Sequence, residues 1–246
     1  MHITGTEHLD DHLTEHRFTL DGVPGIRWTP RTEPRTAPRT TGGPDPLVLL
    51  GHPGDLPRMY PRLLGRARSC AADGYTAATL ELPGSGGRPR LPGVDAARAD
   101  LRRALRAGEP VPDAVVDRLV TPLVEASVPE WRALLAALPG HGPVAWSGGI
   151  TALGVRMARE PRIVAALLFA GSHLPRTSID EARRVTVPVL MLLQWDDECN
   201  DRRQALELFD ALGSPERTLH ANTGGHTGVP AFEGEDAARF LARHLR

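Results

Sequence analysis

The sequence predicts an α/β fold: a mostly parallel central sheet with helices on both faces. Two patterns predict it. From residue 47 onward, short apolar runs such as "PLVLLGH", "PVAWSGG" and "VPVLMLLQWDD" alternate with amphipathic stretches of helical spacing. Strands that are apolar on both faces belong in a sheet that helices cover twice. The apolar runs also end in glycine- or aspartate-rich corners, where functional groups gather in such folds. At 246 residues, the chain suits one domain with one core.

The elements follow in order. Residues 1–16 read as a polar extension, and domain 17–246 opens with "HRFTLDGVPGIRWTP", two short strands around Asp-Gly and Pro-Gly turns. "RTEPRTAPRTTGGPDP" (31–46) lacks periodicity and reads as an exposed loop. The strand "PLVLLGH" is followed by the helix "PRMYPRLLGRARSCAADG", and "YTAATLELPGSGG" is a strand running into a glycine-rich turn. The helix "EWRALLAALPG" precedes the strand "PVAWSGG", and "ITALGVRMARE" is helical again. Three further strands, "RIVAALLFAGS", "VPVLMLLQWDD" and "ERTLHANTGG", alternate with helices up to the closing "EDAARFLARHLR". Residues 88–127 interrupt this rhythm with two helical patterns and no strand between them. The segment is either a surface helix pair or a lid over the strand ends.

Composition narrows the chemistry. The formal net charge is −1, which gives no electrostatic case for nucleic acid or an anionic membrane. All 29 basic residues are arginine, which excludes a lysine Schiff base, pyridoxal phosphate chemistry and a P-loop ATPase. Cys70 and Cys199 read as free thiols of a reducing cytoplasm. The first residues lack the apolar core of a signal peptide, and the apolar run from Ile163 to Ala170 is too short to span a bilayer. The expected location is therefore cytoplasmic. His8, His12 and His16 would share a face only on a helix, so a metal site there is not expected.

Three strand-end corners carry candidate chemistry. Ser147 follows "PVAW" and precedes a helical pattern, the context of a nucleophile elbow; Gly149 is small as required, but Ala145 replaces the first glycine. "QWDDE" places Asp196 and Asp197 at the next-but-one strand end, as an acidic turn or as the group that orients a histidine. "HANTGGHTG" carries His226 on a glycine loop, while His220 inside the strand reads as structural. Ser, Asp, His is the chain order of one of the known triad arrangements. After "LLGHPGD", the Gly54 N–H pairs with the Gly148 N–H as the expected oxyanion hole, because Pro53 has no N–H.

These residues together resemble the α/β-hydrolase superfamily, in particular bacterial esterases of the dienelactone-hydrolase type. The resemblance covers about residues 17–246 and rests on "LVLLGHPG", "LELPGSGG", "AWSGG", "LLQWDDE" and "TLHANTGGHTGVP". It implies an α/β-hydrolase fold and a triad of Ser147, Asp197 and His226. Superposing the family's strand-end pattern puts its glycine at Gln194 and its acid at Asp197, with Asp196 the alternative. The implied reaction is cleavage of a small-molecule ester or thioester through an acyl-enzyme, with no metal and no organic cofactor. The departures at Ala145, Pro53 and the missing Val-Pro keep two alternatives open. One is non-hydrolytic chemistry in the same site: acyl transfer, cyclisation or C–C cleavage. The other is a ligand-binding protein that retains the shell.

Overall fold

The computed structural model describes residues 1–31, 44–171, 173–198 and 200–245. Most of the 31–46 loop, and Cys199, lie outside them. A nine-stranded sheet runs β1-β2-β3-β5-β4-β6-β7-β8-β9. Its first strands are β1 (His2–His8), β2 (Leu13–Leu20), β3 (Val23–Pro30), β4 (Leu47–Gly51) and β5 (Thr76–Leu80). β6 (Val144–Gly148), β7 (Ile163–Phe169), β8 (Val189–Gln194) and β9 (Arg217–Asn222) complete it. From β5 through β4 to β9 every pairing is parallel, while β1, β2, β3 and β5 pair antiparallel.

The polar extension expected over residues 1–16 is instead β1 and the start of β2. β1 is the exposed edge strand, with polar side chains that suit an edge. The histidines are held by strand neighbours: His8 Nδ1 lies 2.9 Å from Thr14 Oγ1 and His16 Nδ1 3.2 Å from Thr6 Oγ1. The turn to β3 is Asp21-Gly22, both with positive φ (49° and 82°), as a two-residue hairpin turn requires.

Seven helices cover the sheet: α1 (Leu56–Ala72), α2 (Val94–Ala107), α3 (Asp113–Ala137), α4 (Thr151–Met157), α5 (Thr177–Ala182), α6 (Arg202–Ala211) and α7 (Phe232–His244). Asp55 caps α1 by accepting the Arg58 N–H at 2.9 Å, and Gly74 ends it at φ 81°. On one face, α1 and α7 close a core around Val48, Leu50, Ala145 and Leu167. On the other, α3, α4 and α6 pack on Leu47, Leu49, Val144 and Trp146. The helix expected at "EWRALLAALPG" is the second half of α3, which continues through Pro122 and Pro129. Burial of Val116, Val120, Val124, Val128 and Trp131 along one face outweighs the hydrogen bonds those prolines remove. Among the described residues no helix is long and apolar enough to cross a membrane.

The chain reverses direction across the sheet at β4. β5 forms on one side of it and β6 on the other, so the loops after β4 and β6 flank a topological switch point. The two strand ends approach closely here. A Cβ on Gly149 would lie 2.8 Å from the Gly51 backbone and 2.9 Å from His52 N, and Gly149 has φ 79°. Gly149→Ala is therefore expected to destabilise the fold by about 2–4 kcal/mol in urea unfolding. Gly140→Ala, where a Cβ would meet nothing within 4 Å, is expected to change stability by about 0.5 kcal/mol or less.

Candidate active site

Two of the sequence-predicted catalytic residues meet at the carboxyl ends of the strands. Asp197 leaves the turn after β8, and His226 follows the glycine pair after β9. His226 Nδ1 lies 2.8 Å from Asp197 Oδ2. The Asp197 side chain is 2% exposed and that of His226 36%. Asn200 Nδ2 donates to the same carboxylate oxygen at 2.9 Å, and Glu198 Oε2 accepts the His226 backbone N–H at 3.1 Å. Facing a carboxylate, Nδ1 carries the proton, which leaves the Nε2 lone pair as the basic site. Asp196, the alternative acid, is exposed and engaged through its backbone with Gly224 O.

The structure does not bring Ser147 to this pair. Strand alternation puts Ser147 on the face of Ala145, in register with Leu50 and Leu167. Its Oγ accepts from Arg66 Nη2 at 2.8 Å, and its carbonyl from the same nitrogen at 2.5 Å. Arg66 Nη1 also donates to Gly51 O at 3.0 Å. Among the described residues Ser147 has no hydrogen bond to His226. Burial lowers the Arg66 pKa to about 10, so the guanidinium stays charged at neutral pH.

The expectation that Ser147 occupies the elbow is corrected by two facts: β6 runs on to Gly148 and α4 begins at Thr151. The corner between strand and helix is Ile150. Ile150 lines a cavity of about 360 Å³ that His226, Asn200, His173 and Gly171 also line. The small residues an elbow needs two before and two after the corner are present as Gly148 and Ala152. That spacing is the sequence signal for the corner, and Ala145 and Gly149 give Ser147, three positions earlier, a competing one. Gly148, expected in the oxyanion hole, pairs with Gly51 inside the sheet and packs on Arg66. Gly54 follows the cavity-lining Pro53, and its N–H makes no backbone hydrogen bond among the described residues.

Sequence reasoning also missed His173 and Asn200. His173 lies just past the end of β7 in the cavity wall, and burial lowers its pKa, which favours the neutral ring. The 88–127 segment, left open between surface pair and lid, lines the same cavity through α2 and α3. Arg88 fastens its start by an ion pair to Glu130 on α3 and a 2.7 Å bond to Glu81 O.

Trp146 is core, edge-on to Trp131 at 4.9 Å, while Trp195 is exposed beneath Arg202. One group of potential metal ligands lies outside the cavity among the described residues: His220, Glu233 and Asp236. Glu233 there already accepts from His220 at 2.9 Å and Asn222 at 2.7 Å, a cross-brace between β9 and α7. This fits the structural reading of His220.

No family model matches the chain, and no curated protein does. Solved structures do. A cold-adapted esterase from an Arctic intertidal metagenomic library, in its PEG-bound complex, is 30% identical over 100% of both chains with a TM-score of 0.64. Its zinc-bound structure is 29% identical with a TM-score of 0.66 over the same full lengths. An acetyl xylan esterase from Paenibacillus sp. R4 shares the fold at 17% identity and a TM-score of 0.62, over 98% of this chain and 88% of that one. With a strand-end histidine–aspartate pair beneath a helical cover, and full-length likeness to a solved esterase, the chain belongs to the esterases of the α/β-hydrolase superfamily.

Proposed function

We propose that the protein hydrolyses a small carboxylic ester or thioester, with His226 as general base and Asp197 as the group that orients it. The observation that carries this reading is the 2.8 Å contact between His226 Nδ1 and the buried Asp197 carboxylate at the wall of an apolar cavity. Membership of an esterase family supports the same reaction class.

In this reading the attacking group is water. Ser147 Oγ is committed to Arg66, and an acyl-enzyme at Ser147 would require that bond to break and the side chain to change faces of the sheet. His226 Nε2 takes a proton from water as the hydroxide adds to the ester carbonyl. The Gly54 N–H is the proposed donor to the oxyanion. As the tetrahedral intermediate collapses, the imidazolium returns its proton to the departing alkoxide or thiolate, leaving an acid and an alcohol or thiol. The free thiol of Cys70 fits the cytoplasmic setting proposed for this reaction.

A second reading is favoured by Ile150. With no hydroxyl at the corner, the same base could move a substrate proton without water, in C–C cleavage or cyclisation. Turnover in ¹⁸O-water separates the two: label in the acid product supports hydrolysis, and its absence supports the alternative.

His226→Gln is expected to lower turnover by about 10²–10⁴-fold. Ser147→Ala is expected to keep turnover within about threefold of the wild type, read against substrate as kcat and KM. Intact-mass analysis after fluorophosphonate treatment is expected to show no adduct at Ser147. An adduct there, with loss of turnover in Ser147→Ala, would restore the acyl-enzyme route. Ile150→Ser places a hydroxyl at the corner, in the wall of the cavity that His226 also lines, and is expected to gain an adduct at residue 150.

A further inference from the structure

The cavity has two chemically different ends. Its walls toward the cover are aliphatic: Leu101 and Leu105 from α2, and Leu119, Val120 and Leu123 from α3. Leu105 is 43% exposed and carries the aliphatic lining out to solvent. The volume of about 360 Å³ has room for on the order of a dozen heavy atoms at a water's ~30 Å³ apiece.

The charged residues of the lining are Arg90, Asp95 and Arg98, and the histidines are His173 and His226. Arg90 precedes α2, while Asp95 and Arg98 stand in its first turns, all three exposed at the mouth. Their internal bonds are long. Arg98 Nη1 lies 3.5 Å from Asp95 Oδ1, and Arg90 Nη1 lies 3.4 Å from Gly84 O. Only Arg98 approaches the Asp95 carboxylate and Arg90 reaches only a backbone carbonyl, so most of their ten N–H donors are uncommitted.

We infer that the ligand of this cavity is an amphiphilic carboxylate: an aliphatic chain lying against α2 and α3, with an anionic end at Arg90 and Arg98. The inference rests on the cavity being the substrate site of the proposed hydrolase: the substrate carries this free carboxylate in addition to the ester that is cleaved. An uncharged ester would leave the mouth arginines unused. A cation would meet two like charges.

The test is calorimetric binding to the full-length protein, with octanoate, 1-octanol and octylammonium as probes. Octanoate is expected to bind most tightly and to weaken as salt rises. Arg90→Gln and Arg98→Gln, at exposed positions, are each expected to weaken octanoate about two- to fivefold and to leave octanol unchanged. Asp95→Asn removes the competing carboxylate and is expected to tighten octanoate by a similar factor. Thermal unfolding of each variant confirms that the fold is kept. Equal binding of octanoate and octanol, octanoate binding that ignores all three substitutions, or no binding of any probe would overturn the inference. Octanoate binding of the expected pattern without turnover of any ester would remove the hydrolase reading and leave the ligand class standing. Ester turnover with no preference for charge would do the reverse.

Discussion

The site depends on how tightly the ends of β4 and β6 are drawn together. Gly51 and Gly149 meet backbone to backbone, closer than any side chain allows. Arg66 reaches up from α1 and donates to the carbonyls of Gly51 and Ser147, one at each strand end. Charge-assisted hydrogen bonds are worth roughly twice neutral ones, so a single side chain can hold both ends against local fraying. The loop with Pro53 and Gly54 leaves from one of these ends, and the corner with Ile150 leaves from the other. The relative position of the two loops is therefore fixed from beneath.

The same clamp holds the serine. Ser147 belongs to the fastening, because its hydroxyl and its carbonyl serve the same guanidinium. The histidine–aspartate pair is built separately, from turns after β8 and β9, and does not need the serine to be held in place. Asn200 and Glu198 brace it from within its own loop. A histidine arranged in this way keeps its orientation whatever group its free ring nitrogen faces.

Much of this was legible in the residues. Apolar runs marked the strands from β4 to β8, because strands buried on both faces leave little room for polar residues, and β9 was marked by its place in the alternation with helices. The placement of Asp197 and His226 was legible because each stands just past a predicted strand, beside turn residues. The corner was harder. "AWSGGITA" holds two small-residue frames, one centred on Ser147 and one on Ile150, and only the position where the helix starts chooses between them. That position depends on the strand running on to Gly148, a matter of pairing with Gly51 that local pattern does not carry. β1 was missed for a related reason: an edge strand with polar side chains on both faces shows no hydrophobic period. The unity of α3 was hidden by its two prolines, which mark breaks unless burial overrides them.

The cover of the cavity is also the connection between β5 and β6. The cavity's helical cover and its histidine–aspartate pair are thus written on separate parts of the chain. One lies within residues 81–143 and the other at the corners after β8 and β9. An exchange of α2, which packs on α3 and contributes no residue to either core beside the sheet, would leave the sheet pairings and the histidine–aspartate pair untouched. New substrate ranges could then arise by recombination within a single uninterrupted stretch of gene, without rebuilding the catalytic floor each time.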